Sequence, residues 1–125
     1  MNDLNKFLSH NSAPTKSVYV KRFDMNFEIQ GITADKMNEL TEQVTSINKN
    51  GTEVSNQTEL VALVIATGVT FPNFKDKEVI KTFKAIDSAD AVNKALLIGE
   101  ITYLQEEIFS LSGYDNGKGI EEAKN

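Results

Sequence analysis

The stretch from residue 96 to residue 115, LLIGEITYLQEEIFSLSGYD, constrains the fold of this chain more than any other. Apolar residues recur along it in alternating steps of four and three, at Leu97, Ile101, Leu104, Ile108 and Leu111. This spacing places five aliphatic side chains on one face of a helix. Gly113 can adopt the left-handed conformation that ends many helices, and Glu100 suits the positive end of the helix dipole. We therefore predict a terminal helix that faces the core.

Length and charge predict one folded domain without a nucleic-acid surface. A chain of 125 residues is long enough for a single core, and its formal net charge of −5 is opposite to the basic face that nucleic acids require. There is no cysteine, which excludes disulfides and thiolate metal sites. The N-terminus lacks the features of a secretory signal, and the longest apolar run, residues 60–66, is too short to span a membrane. We expect a cytoplasmic protein.

The clearest β-strand signal lies near the N-terminus. Val18 and Val20 alternate with more polar residues, and after a tight turn Met25, Phe27 and Ile29 do the same. Period-two alternation in two adjacent runs predicts a hairpin with one buried face and one solvated face. Because a lone hairpin is only marginally stable, helices must cover its apolar face.

Helix-capping residues divide the middle of the chain. The predicted N-caps are Thr33, Asn56, Asp76 and either Asp87 or Ser88. The first of these helices should end at the turn signal of residues 48–51. Residues 69–75, with one proline and two phenylalanines, are predicted to form a loop that holds its aromatic rings against the core.

Residues 60–66 are apolar on every side, which is typical of a central buried helix. A strand is the alternative for so short a run of Val and Ile, but the cap at Asn56 and the stop at Gly68 favour a helix. We expect Leu63 in this helix and Leu104 in the terminal helix to be fully buried.

Together these patterns predict an α+β fold, in which a small N-terminal antiparallel β-hairpin packs against a mostly helical remainder. The predicted strands lie near residues 17–22 and 25–30, with all other regular structure helical. We divide the chain into an N-terminal helix or arm with its linker (1–16), a single α+β domain (17–115) and a polar tail (116–125) expected to be disordered.

Candidate catalytic and metal-binding groups are sparse. His10 is the only histidine and lies in a polar linker. The acidic pairs at residues 106–107 and 121–122 are adjacent in sequence, so their side chains diverge on a helix and make poor chelators. The glycines of residues 113–119 lack the spacing of a phosphate-binding loop. We predict no enzyme, no catalytic residues, no cofactor and no metal site.

Aromatic residues at the end of the chain indicate a binding surface instead. Tyr103 and Phe109 fall outside the aliphatic stripe of the terminal helix, and Tyr114 follows that helix. Either the helix is packed on two sides within the monomer, or part of it forms a face for another chain. The first interpretation is favoured for Phe109, whereas a tyrosine suits a half-exposed interface. The candidate partner-binding residues are thus Tyr103, Phe109 and Tyr114.

The chain resembles the XkdN-like tail assembly chaperones of phages and phage-like particles of Gram-positive bacteria. The resemblance covers residues 4–115 and rests on five segments in this order: DLNKFL, SVYVKRFDMNFEIQGIT, ELVALVIATGV, FPNFKDKEVIKTF and LLIGEITYLQEEIFSLSGYD. One departure is Ile98, which stands where such sequences often have Pro before the Gly-Glu pair.

This resemblance implies a protein that acts while the tail is built and is absent from the finished particle. Such chaperones are thought to coat the long, helical tape measure protein, and tail tube subunits are a second candidate partner. A weak homo-oligomer is compatible with the family, whereas nucleic acid and membrane are not expected as partners. The alternative is a small structural component of the virion, such as a head–tail connector or a tail terminator.

Overall fold

The computed structural model describes residues 3–114, which form two layers, a small sheet and a group of helices. The helices are α1 (Asp3–Ser9), α2 (Ala34–Val44), α3 (Gln57–Gly68), α4 (Lys77–Thr82), α5 (Ser88–Ala95) and α6 (Ile98–Leu111). The strands are β1 (Thr15–Val20), β2 (Met25–Gln30), β3 (Thr45–Ile47), β4 (Glu53–Ser55) and β5 (Val69–Phe71). The predicted tail, residues 116–125, lies outside the described residues. Within residues 3–114, no helix is long and apolar enough to cross a membrane.

The predicted hairpin is confirmed. Strands β1 and β2 pair antiparallel along their whole length, from Thr15 opposite Gln30 to Val20 opposite Met25. A short 3₁₀ turn joins them, and Asp24 closes that turn in the left-handed conformation, with φ of 48°. Val18, Val20, Phe27 and Ile29 are buried, which leaves the other face of the hairpin to solvent. Together with the helices, this hairpin gives the predicted α+β fold.

The prediction of only two strands is wrong, because the described residues contain three more. Strand β5 pairs with β2 and completes a sheet of order β1-β2-β5, while β3 and β4 form a separate hairpin. Each added strand has only three residues, too few to show period-two alternation. Strand β5 occupies the start of the predicted loop, where Phe74 is buried but Phe71 is exposed. Helix α2 ends at Val44, earlier than predicted, because β3 follows directly.

Side-chain caps begin four of the helices, as predicted. The backbone N–H groups of Lys36, Glu59, Glu78 and Asp90 donate hydrogen bonds to the side chains of Thr33, Asn56, Asp76 and Asp87, respectively. Each of these bonds satisfies one N–H group that has no partner within its helix. At the start of α5 the cap is Asp87 and not the alternative, Ser88.

Helix α3 is the centre of the molecule and contacts α2, α5, α6 and β5. The run of residues 60–66 is therefore helical, as expected. Leu104 of α6 is fully buried, but the expectation for Leu63 is wrong, since its side chain is only partly buried. Val61 is partly buried as well, so one side of this all-apolar helix is not fully covered.

Gly68 is the last residue of α3, but the prediction that it stops the helix as a left-handed glycine is wrong. Its φ is not positive, so it does not supply a left-handed stop. Instead, a Cβ built at Gly68 would lie 2.6 Å from Cδ1 of Ile108 in α6, well inside van der Waals contact. The missing side chain lets α6 approach α3 closely, and this contact fixes the position of the terminal helix.

Candidate partner-binding surface

The N-terminal end of α6 is attached to the hairpin turn by an ion pair. Arg22 donates from Nε and Nη2 to the two carboxylate oxygens of Glu100, at 2.8 and 2.7 Å, and Nη2 also donates to the carbonyl of Ala95. Glu100 additionally accepts a hydrogen bond from the N–H of Leu97, which lies just before the helix. The Arg22 bonds, supported by the Leu97 N–H, hold the pKa of Glu100 below its ordinary value. Glu100 therefore orients α6.

Leu97 is the one member of the predicted stripe that does not face the core. It is the N-cap of α6 and is 57% exposed, whereas Leu104 and Ile108 are fully buried. The chain breaks sharply between α5 and α6 although Ile98, not Pro, occupies the first helical position. Leu97 has φ −81° and ψ 159°, an extended conformation that suits a break.

The C-terminal end of α6 is attached to the segment that precedes α2. The N–H of Ile32 donates to Ser112 Oγ at 2.8 Å, and that hydroxyl donates to the carbonyl of Ile108 at 2.6 Å. Gly113 follows with φ of 99°, which confirms the predicted left-handed stop. These bonds hold the end of α6 beside the start of α2.

Between these two helices lies an open groove of about 690 Å³, the α2–α6 groove. Its apolar lining comes from Ile32, Ala34, Met37, Phe109 and Tyr114, and its polar lining from Thr33, Asn38, Glu106, Glu107, Ser110 and Ser112. Ile32, Met37 and Phe109 are partly buried and pack against the core, so they form a fixed floor. An apolar floor flanked by polar side chains is the composition of many grooves that take up an amphipathic helix.

The structure brings two of the three candidate residues together. The rings of Phe109 and Tyr114 lie 5.9 Å apart at an angle of 58°, and Tyr114 is 74% exposed. Tyr103 is 39% exposed but does not line the groove. Phe109 lies six positions after Tyr103 on α6, which turns their side chains roughly 120° apart around the helix. Tyr103 thus lies on a separate part of the surface.

Ile32 and Met37 are groove residues that the sequence did not reveal. Met37 lies three and seven positions before Leu40 and Val44, the buried residues of α2, so its spacing alone indicates the core face of that helix. The hydrogen bond between Ile32 and Ser112 holds the segment before α2 beside the end of α6, and no pattern within either segment predicts it. A methionine that lines a groove favours a binding surface, because its flexible thioether side chain adapts to varied partners.

The polar lining of the groove includes two carboxylates. Glu107 forms a salt bridge with Lys16 of β1 at 3.1 Å, whereas Glu106 is exposed and forms none within residues 3–114. Acidic groups beside an apolar floor favour a helix that has Lys or Arg next to its apolar stripe.

No metal-binding cluster is seen in the part of the chain that the structure describes. Residues 3–114 contain no group of three or more His, Cys, Asp or Glu side chains that could hold a metal ion. His10 is exposed, and its Nδ1 lies 2.8 Å from the carbonyl of Lys6 at the end of α1. This contact places the His10 ring against the last turn of α1.

Comparisons with known proteins show the family and a similar fold. The family model of the phage XkdN-like tail assembly chaperone protein matches residues 4–124. The chain is similar in fold to the crystal structure of the protein YqbN, with a TM-score of 0.72 and 22% identity over 92% of this chain and 99% of that one. No curated protein matches the sequence. Because the family model covers nearly the whole chain, this protein belongs to the family of phage XkdN-like tail assembly chaperones.

Proposed function

We propose that this chaperone binds helical segments of the tape measure protein through the α2–α6 groove, during tail assembly in the host cytoplasm. The observation that carries the proposal is the groove itself, an apolar floor from two helices beside carboxylates. An amphipathic helix buries its apolar face in such a groove. The tape measure protein is a long helical chain that needs solubilising before the tube encloses it, and the chaperone leaves before the particle is complete. Tail tube subunits are a second proposed partner.

Within this proposal, Phe109 and Tyr114 contact the tape measure helix directly in the groove. Aromatic side chains contribute strongly at interfaces because they bury a large area at a small cost in conformational entropy. Tyr103 forms a secondary contact at the other edge of the exposed face of α6. Glu106 and Glu107 pair with basic side chains of the tape measure helix.

The direct test is co-expression of the chain with the tape measure protein of the same phage, followed by affinity co-purification. The double substitution Met37→Ala and Tyr114→Ala should weaken binding about tenfold or more, since each truncation removes a central apolar contact. Tyr103→Ala is the matched control on the same helix and should cause a smaller loss. Tyr103→Ala should keep the wild-type melting curve because Tyr103 is exposed. The groove variant should melt slightly lower, since Met37 packs in part against the core, so binding is compared at a temperature where every variant is folded.

Two results would contradict the proposal. If the wild-type chain neither solubilises nor co-purifies with the tape measure protein and instead remains in finished particles, it is a structural component of the virion. If it binds but the Tyr103→Ala variant loses more affinity than the groove variant, the binding surface lies on the other side of α6.

A further inference from the structure

Helix α1 has an apolar face that the other described residues, up to Tyr114, leave uncovered. Leu4, Phe7 and Leu8 are 62, 75 and 56% exposed, and no residue of α1 is buried. Their spacing of three and four places them on one side of the helix. A helix of seven residues is marginal in water by itself, so packing of this face against another surface would stabilise it.

The linker after α1 begins beside the α2–α6 groove. Residues 10–14 line a second, shallower cavity against residues 31–33 and 111–113, and both cavities share Ile32, Thr33 and Ser112. The carbonyl of Pro14 accepts a hydrogen bond of 2.9 Å from the N–H of Gly31, which fixes the end of the linker there. Helix α1 is therefore an arm that leaves the domain at the edge of an apolar groove.

We propose that α1 of one copy binds in the α2–α6 groove of a second copy, and that two copies exchange these arms reciprocally. The apolar face of α1 offers roughly 300 Å² of side-chain surface. One arm in one groove would bury about 600 Å² in total, less than the ~1,000 Å² that a stable interface needs. Two reciprocal contacts reach about 1,200 Å², which favours a closed exchanged dimer over a single contact.

Charge is compatible with this exchange. Lys6 is exposed on α1 and forms no salt bridge within residues 3–114, and neither does Glu106 beside the groove. The groove is the same one that the proposed function assigns to the tape measure helix. A tape measure helix would therefore displace the arms, and the dimer would be the state of the chaperone without its partner.

Disulfide trapping tests the exchange without any tape measure protein, because the natural chain has no cysteine. One full-length chain has Leu4→Cys in the arm, and a second has Ala34→Cys at the groove. Mixed under mild oxidation, the two chains should form a disulfide-linked heterodimer on a non-reducing gel. Phe7→Asp added to the arm chain should reduce its yield at least fivefold, since a buried charge opposes docking. The control pairs Ile47→Cys, an exposed residue outside the groove, with Ala34→Cys and should give only background dimer.

A chain with both Leu4→Cys and Ala34→Cys distinguishes exchange from folding back. Exchange predicts a dimer band, whereas a fast-migrating internally bridged monomer would show that the arm covers its own groove and would overturn the proposal. Heterodimer yield equal to the Ile47→Cys control would also overturn it. If trapping fails while the tape measure protein still binds in a groove-dependent manner, only the arm exchange is wrong.

Discussion

Helix α6 presents apolar side chains in two directions, and the two surroundings differ. On one side Leu104 and Ile108 are fully buried. Ile108 packs so closely on Gly68 of α3 that a methyl group at position 68 would overlap the Ile108 side chain. On the other side Phe109 and Tyr114 line an open groove. The closed contact depends on exact shape and stabilises the fold, whereas the open one leaves apolar area for a partner. Stability and binding should therefore respond to different substitutions on one helix.

The largest effect is expected at the closed contact. Leu104→Ala should lower the free energy of unfolding by about 2–5 kcal/mol, because it removes transfer free energy and leaves a cavity in a fully packed site. Leu63→Ala is the matched control and should cost less, since Leu63 is only partly buried. Urea denaturation measures both. Equal losses for the two variants would show that α6 does not form the core as described.

Adding one methyl group tests the same contact from the side of α3. Gly68→Ala should destabilise the chain by about 1–3 kcal/mol, because the new Cβ overlaps Ile108 and the two helices must move apart. The control is Gly99→Ala near the start of α6, where a Cβ would have no heavy atom within 4 Å. That change should be neutral or stabilise the chain by up to about 1 kcal/mol, because Ala has a higher helix propensity than Gly. A neutral Gly68→Ala would mean that the helices are less tightly packed.

A smaller effect, dependent on pH, is expected at the start of α6. Glu100→Gln should lower the free energy of unfolding by about 1–2 kcal/mol at pH 7, because the charged bonds with Arg22 are lost. The folded-state pKa of Glu100 is lowered, so its contribution is present above the ordinary value of 4.5 and is lost as pH falls through the folded-state pKa. The difference between wild type and variant should therefore shrink below about pH 4.5.

Chemical denaturation at a series of pH values measures this difference. Glu106→Gln is the control, because Glu106 is exposed and forms no salt bridge within residues 3–114. A difference between wild type and Glu100→Gln that stays constant down to pH 3 would show that the charge of Glu100 does not act through Arg22.

Features set by neighbouring residues could be predicted from the sequence. Thr33, Asn56 and Asp76 cap helices through hydrogen bonds to backbone groups two or three residues away, so the signal is complete within one segment. The β1-β2 hairpin is equally local, and Gly113 ends α6 as its position predicts.

Features set by distant contacts could not be predicted. Strand β5 forms because its residues pair with β2. Position 68 requires glycine because the Ile108 side chain of α6 packs directly against it. The sequence predicts only part of the candidate site, because the site also depends on contacts between distant residues. The aromatic residues of the last helix mark a surface, but the groove also needs Ile32 and Met37, which only the folded chain places beside Phe109.

Hydrogen–deuterium exchange of the Phe7→Asp variant, whose groove no arm should occupy, measured alone and bound to the tape measure protein, tests the central claim most directly. The account predicts that binding slows exchange at residues 31–38 and 105–114, which border the α2–α6 groove, and leaves α3 unchanged because it is already buried. Slower exchange confined to the outer face of the sheet or to the β3-β4 hairpin, with no change at the groove, would contradict it.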